Sequence, residues 1–404
     1  MTRQQLFGSM CAMVLLVNLA RVVFAPLLEP IRTAFGASAA AIGLLATLAW
    51  LGSALPRLPT GYLLTLVPRY AVILAAGTLL AFSPLLAASA TSLPVLWASA
   101  LLMGLSSGVY FIAAKPLLSD LFPDAIGRAV GVHGTASQVA AAGAPLFVTG
   151  VLWIEGSGTL SIEGWRLAFG LVSAFAVVAT VAFGLIAWRT TFPPGEELDR
   201  DFLGAARRQW PVILSGVALA GLVGLAWNGV FNFYVSYLVA TKPIAETTAR
   251  ELLTVVFVAG VPAFAIAGRL ADRVAYIPLL LGIVGAFAGC LLALTLATGF
   301  YQLVVASAAL GFVIHGLFPA MDTYVLDSLP DAHRASAYAV FSAGIMLLNA
   351  LGSVVVGTLL DVGYGYTAIF RAFAVGVLVL VALLVAVHFT IGFPTGRRSA
   401  RQGA

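Results

Sequence analysis

Charge is the scarcest commodity in this 404-residue chain: Asp, Glu, Lys and Arg together make up 9% of it, against about 25% in an ordinary soluble domain. That shortage excludes a water-soluble globule, because so few charged groups cannot form a solvated shell around a chain that is 61% hydrophobic. Cysteine is almost absent. The two present, Cys11 and Cys290, lie inside apolar runs with no second Cys or His at metal-ligand spacing, which excludes a disulfide scaffold and a zinc module. Both read as packing residues. Also missing are a His-Glu-x-x-His pair, a Cys-x-x-Cys pair and a phosphate-binding Gly-Lys-Ser/Thr loop. No polar stretch is long enough to fold as a soluble domain. These absences argue against an enzyme and against any cofactor or metal.

What the chain does have is apolar length. Runs of about 20 residues, enough to cross the hydrocarbon core as a helix, recur from end to end, punctuated by Gly, Pro and charge. Twelve membrane helices are expected, at about 7–30, 39–63, 70–90, 93–120, 128–153, 165–190, 210–240, 247–268, 277–298, 300–327, 336–361 and 367–391. The fold class is an all-α integral membrane protein. The first run is longer than the roughly 7–15-residue apolar core of a signal peptide, so it is read as the first helix. The longest polar interruption, "TTFPPGEELDRDFLGAARRQ" at 190–209, divides the chain. The expected parts are a six-helix half at 1–190, a cytoplasmic linker at 191–209, a second six-helix half at 210–392 and a cytoplasmic tail at 393–404.

A net charge of +5 does not point to nucleic acid here, since the basic residues are scattered singly between apolar runs. They set an orientation instead. With both termini inside, 14 arginines, among them Arg57, Arg69, Arg128, Arg207, Arg269, Arg273 and Arg334, fall on the cytoplasmic side. Only Arg32, Arg166, Lys242, Arg250 and Arg371 fall outside. The expectation is a multi-pass protein of the cell (inner) membrane with both termini in the cytoplasm.

The chain repeats itself. "DLFPDAIGRA" from Asp120 resembles "DSLPDAHRAS" from Asp327, an offset of 327 − 120 = 207. The same shift carries Gly104 to Gly311, Gly61 in "GYLLTLV" to Gly268 in "GRLADRV", and Phe24 to Phe231. Four separated matches at one offset make an internal repeat, and such repeats reveal transporter architecture. Six helices per copy is an even number, so both copies keep one orientation. The repeat is therefore parallel, about a pseudo-two-fold axis along the membrane normal.

"GRLADRV", between helices 8 and 9, resembles the cytoplasmic loop motif of the major facilitator superfamily, and "GWRLAF" at 164–169 resembles a common start of its sixth helix. The resemblance covers nearly the whole chain. It implies a secondary transporter that alternates access to one central site by rocking its halves, with helices 1, 4, 7 and 10 lining the cavity. It also implies a gating motif: Gly268 allowing a tight turn, Asp272 flanked by Arg269 and Arg273, and Gly61 and Arg69 in the first copy. Thr65 stands where the offset places Asp272, so the first copy departs from the pattern.

The oddest polar residues lie on those four helices. Arg21 sits some 14 residues into helix 1, about 21 Å at 1.5 Å per residue, too deep to snorkel easily to water, and Asn18 lies one turn before it. At a membrane centre an arginine costs roughly 2.5–3.5 kcal/mol, so it is read as a cavity residue. Helix 7 carries Asn228 and Asn232 at i and i+4, on one face. The spacing of Gly104, Gly108 and Lys115 puts all three on one face of helix 4, and that of Gly311, His315 and Asp322 does the same for helix 10. The offset maps Lys115 onto Asp322. Lys115 either lines the cavity, snorkels to water or neutralises Asp322; His315 is a functional or a core histidine; Tyr110 belongs to the wall or to packing. His133 and His333, near cytoplasmic loops, are expected in solvent.

Arg21 and Lys115 against Asp322 leave a positive bias, which suits a small organic or inorganic anion. The expected substrate site is Arg21, Asn18, Lys115, Tyr110, Asn228, Asn232, His315 and Asp322. An exporter of drugs or neutral solutes is the alternative, kept open by 25 Phe, and a receptor or scaffold the rival from another class. Without an ATP-binding loop, concentrative transport needs a gradient, with a proton or another ion as coupling partner. The expected state is a monomer in lipid.

Overall fold

The protein is described by a computed structural model over residues 2–122, 125–158, 161–190, 202–271, 273–330 and 334–394. The described residues form helices and no strand. Twelve helical stretches are long and apolar enough to cross a membrane. Spans 1 to 6 are Arg3–Val22, Ala39–Leu63, Arg69–Ala88, Leu93–Leu121, Arg128–Gly156 and Gly164–Trp188. Spans 7 to 12 are Phe202–Asn232, Glu246–Ala271, Tyr276–Leu296, Phe300–Ser328, Ser336–Asp361 and Tyr366–Thr390. The chain divides into two compact units, Met1–Leu198 and Asp199–Ala404.

Local chemistry explains where the helices break. Span 1 stops at Val22 and a further helix, Phe24–Phe35, follows; Pro26 has no N–H to offer the Val22 carbonyl four residues back. Gly36 ends that helix in the left-handed region at φ 56°, which glycine adopts without strain. The Ser38 hydroxyl then accepts from the Ala41 N–H at 3.2 Å and caps span 2. Span 7 starts at Phe202, so residues 202–208, expected in the linker, are helical. Their Leu, Ala and Arg favour helix, and the kink falls at Gln209 (φ −108°, ψ 15°), two residues before Pro211.

The internal repeat is written into the packing of each unit. In the first, Gly104 of span 4 lies against the backbone of Ala49 and Gly52 in span 2; in the second, Gly311 of span 10 lies against the backbone of Val256 in span 8. Both partners are 207 apart, since 256 − 49 = 311 − 104 = 207. A side chain at either glycine would meet main-chain atoms, and small residues that let helix backbones touch are a common basis for helix association in lipid.

Helix ends repeat as well, with different donors. Arg166, in the first turn of span 6, donates from Nη1 to the carbonyls of Ala88 (2.9 Å) and Ala90 (2.7 Å) at the end of span 3. Lys242 donates from Nζ to the carbonyls of Thr295 (3.0 Å) and Ala297 (2.6 Å) at the end of span 9. Each cation meets carbonyls that a helix C-terminus leaves open. Burial, and then the charge of Arg371, lowers the pKa of the Lys242 ammonium.

The outer surface is apolar. Trp188, Tyr301 and Phe389, all near span ends, are 83%, 82% and 82% exposed. Hydrocarbon and the headgroup boundary, rather than water, suit such a surface.

Candidate functional site

Arg21 lies in the last turn of span 1, within reach of its own helix and of span 2. Its Nη2 donates to Asn18 Oδ1 at 2.7 Å, and Nη1 lies 3.5 Å from Ser53 Oγ. The guanidinium carbon is 4.4 Å from the centre of the Trp50 ring and 5.6 Å from that of Phe111, so two aromatic rings attract the cation. Asn18 is itself oriented, because its amide nitrogen donates to the Ser137 carbonyl of span 5 at 2.8 Å. Arg57 donates from Nε to the Ser53 carbonyl at 3.3 Å. Two guanidinium groups therefore converge on Ser53. Among the described residues, no carboxylate forms an ion pair with Arg21, and its Nε has no hydrogen-bond partner.

Elsewhere in the first unit the expected residues part company. Tyr110 is fully buried; its hydroxyl donates to the Met10 carbonyl at 2.7 Å and lies 3.0 Å from His133 Nε2. His133, expected in solvent, is buried instead. The Tyr110 hydroxyl gives its imidazole a polar partner inside the helix bundle, and the two rings stack with centroids 5.8 Å apart. The face of span 4 that carries Gly104 and Gly108 turns to span 2. Lys115, farther along, is exposed and forms no hydrogen bond with Arg21 or Asn18 among the described residues.

In the second unit, Asn228 and Asn232 join a buried network with Ser353 of span 11. Asn232 Nδ2 donates to the Asn228 carbonyl and to Ser353 Oγ, both at 2.9 Å, and Ser353 Oγ donates to Asn228 Oδ1 at 2.9 Å. His315 is buried among Trp227, Phe257, Phe264 and Phe318, at ring-centroid distances of 6.0, 5.5, 6.1 and 6.3 Å. Its Nδ1 bonds the Gly311 carbonyl at 2.8 Å. A carbonyl only accepts, so Nδ1 is the donor in this bond. Gly260 makes room for the ring, since a Cβ there would come within 2.5 Å of it. Asp322 Oδ1 accepts from the Tyr338 hydroxyl of span 11 at 2.7 Å.

The loop residues need one correction. Gly268 makes no tight turn: span 8 runs through it to Ala271, and its φ is not positive. The chain turns only afterwards, with the Arg273 N–H donating to the Leu270 carbonyl at 3.0 Å. Nothing obliges the helix to stop at Gly268, because its neighbours Ala267 and Arg269 are good helix formers. Gly61 is helical too, within Arg57–Leu63. Arg69 forms an ion pair with Asp120 at the end of span 4 and donates to the Pro116 carbonyl at 3.2 Å. Arg269 and Arg273 are exposed. Asp272 and His333 lie outside the described residues.

Sequence reading passed over Trp50, Ser53, Arg57 and Ser137. The first three are spaced by three and four residues, which is one helical face and was the available signal. Ser137 carried none, being 119 residues from the Asn18 it binds.

Comparison with known proteins follows the same lines. The sequence profile of the Major Facilitator Superfamily matches residues 10–244 and again 229–404. No curated protein sequence matches the chain. Among solved structures it is similar to a bacterial homologue of the human lysosomal transporter Spinster, inward-facing and unoccupied (TM-score 0.79, 17% identity, 96% of each chain covered). It is similar also to the nucleoside transporter NupG (TM-score 0.76, 13% identity, 96% of this chain and 99% of that one). A D-xylose-proton symporter gives a TM-score of 0.75 at 15% identity, covering 93% of this chain and 96% of the other. At these identities the likeness is one of fold.

Proposed function

The chain belongs to the Major Facilitator Superfamily, and from that premise we propose that this solute transporter carries a small organic or inorganic anion, with Arg21 binding its charge. The observation that supports this reading is the isolation of Arg21. Its guanidinium is held by Asn18, Ser53, Trp50 and Phe111, all neutral, and a membrane-embedded cation with no counter-charge gains most from a ligand that brings one. Arg57, meeting the other side of Ser53, strengthens the positive field. A guanidinium suits carboxylates and oxyanions, which it can bond through two N–H groups at once.

In this reading Asn18 orients Arg21, while Lys115, Tyr110, Asn228, Asn232, His315 and Asp322 serve the same transport cycle. Access alternates between the two membrane faces and is driven by an ion gradient. The protein works in the cell (inner) membrane with both termini and the 191–209 segment in the cytoplasm, the arrangement favoured by the arginine distribution. A second reading, export of drugs or neutral solutes, has the four aromatic rings around His315 in its favour.

The test is transport by the purified protein in proteoliposomes, with a panel of carboxylates and inorganic oxyanions beside a panel of neutral and cationic drugs. Saturable movement of one or more anions is expected. Movement of drugs or neutral solutes alone would overturn the anion reading in favour of the second.

A further inference from the structure

Spans 8, 9 and 10 do not close on one another along their whole length. Small residues stand where they would meet, among them Ala263 and Ala267 of span 8, Gly282 and Ala286 of span 9 and Gly316 of span 10, and they leave a groove of about 310 Å³. Every residue lining it is apolar. It is open to the outside, since Ile266, Leu270 and Phe312 on its walls are 47%, 41% and 38% exposed. In a bilayer that outside is hydrocarbon, and an unfilled groove forfeits the dispersion contacts of its walls.

One end of the groove is marked by charge. Leu270, in the last turn of span 8, and Pro278, in the first turn of span 9, both line it, so it reaches the connection between these spans. Arg269 and Arg273 stand at that connection, exposed and four residues apart, with the Arg273 N–H bonded to the carbonyl of Leu270. Neither side chain has an ion-pair partner among the described residues. With Asp272 counted, segment 269–273 carries 2 − 1 = +1. An apolar trough that ends at two arginines, where the chain leaves the bilayer, complements a molecule with a hydrocarbon tail and an anionic head.

We propose that this groove binds one anionic phospholipid, its acyl chain lying between spans 8, 9 and 10 and its phosphate on Arg269 and Arg273. The site lies wholly in the second unit, and it is distinct from Arg21, so it stands or falls apart from the anion reading.

Native mass spectrometry of the full-length protein in detergent tests it, after incubation with phosphatidylglycerol or with phosphatidylcholine of the same chains. The wild type should retain one phosphatidylglycerol with a preference of about tenfold or more, because each basic residue near a membrane surface favours anionic lipid several-fold. Arg269→Gln with Arg273→Gln should reduce phosphatidylglycerol retention to the phosphatidylcholine level. Gly282→Phe should abolish retention of both lipids. A Cβ at Gly282 meets no atom within 4 Å, so the new ring can occupy the groove without disturbing the fold. Equal retention of the two lipids by the wild type, or undiminished phosphatidylglycerol on either variant, overturns the proposal. Should the arginine variant fail to fold, the outcome for Gly282→Phe decides.

Discussion

Asn18 and Arg21 stand one turn apart on span 1, and the 2.7 Å bond from the guanidinium to Asn18 Oδ1 forms because the Asn18 nitrogen is engaged by the Ser137 carbonyl. The amide thus presents its acceptor to the arginine and leaves it a full positive charge. Asn18→Asp would place a carboxylate at the same distance and neutralise Arg21 from within. Anion affinity should fall about tenfold or more, together with a loss of thermal stability, because a carboxylate cannot donate to the Ser137 carbonyl as the Asn18 nitrogen does. Ligand-binding isotherms and melting curves of the purified variant check this; unchanged affinity would remove Arg21 from the site.

Direct substitution of Arg21 separates charge from shape. Arg21→Lys keeps the charge but loses the planar fork, so anion binding should weaken while the protein still folds. Arg21→Gln should abolish binding. Transport of a neutral or cationic substrate at the normal rate by Arg21→Gln would favour the drug-exporter reading.

Gly104→Ala and Gly311→Ala should each destabilise the protein, since the added methyl would press on the backbone of Ala49 or of Val256. The expected cost is about 1–3 kcal/mol, typical of overpacking. Gly285→Ala, where a Cβ meets nothing within 4 Å, serves as the control and should be neutral or slightly stabilising. Denaturant or thermal unfolding in detergent makes the comparison. Equal effects at all three positions would mean that the close approach of spans 2 and 4, and of spans 8 and 10, does not limit stability.

Arg69 and Asp120 form an ion pair whose side chains are only 10% and 15% exposed. Removing one partner strands a largely buried charge, so Arg69→Gln and Asp120→Asn should each cost about 1–3 kcal/mol, discounted from the cost of breaking a fully buried pair. The double variant should recover part of that loss. Unfolding midpoints of the four proteins in a double-mutant cycle measure the coupling, and strict additivity would show that the pair contributes nothing.

Reporter fusions after Gly195 and at the C-terminus should both read cytoplasmic, as the excess of arginine on that side requires. A fusion that reads outside would reverse the proposed orientation.

Much of the architecture is a property of the sequence alone. A span needs only about 20 apolar residues in a row, so composition over a short window determined the twelve helices, and comparing windows revealed the offset of 207. Helix period placed Asn18 beside Arg21, because three residues apart on a helix is adjacent in space. Partnerships between distant segments were not local properties, and only the tertiary structure decided them. Ser137 meets Asn18 across 119 residues. Tyr110 draws His133 out of solvent because spans 4 and 5 pack beside Met10 of span 1. The carbonyl ends of spans 3 and 9 occupy matching places in the repeat, yet one takes Arg166 and the other Lys242, residues that the offset does not relate. A helix end accepts any cation that packing brings within reach, and the packing was set by the folded chain.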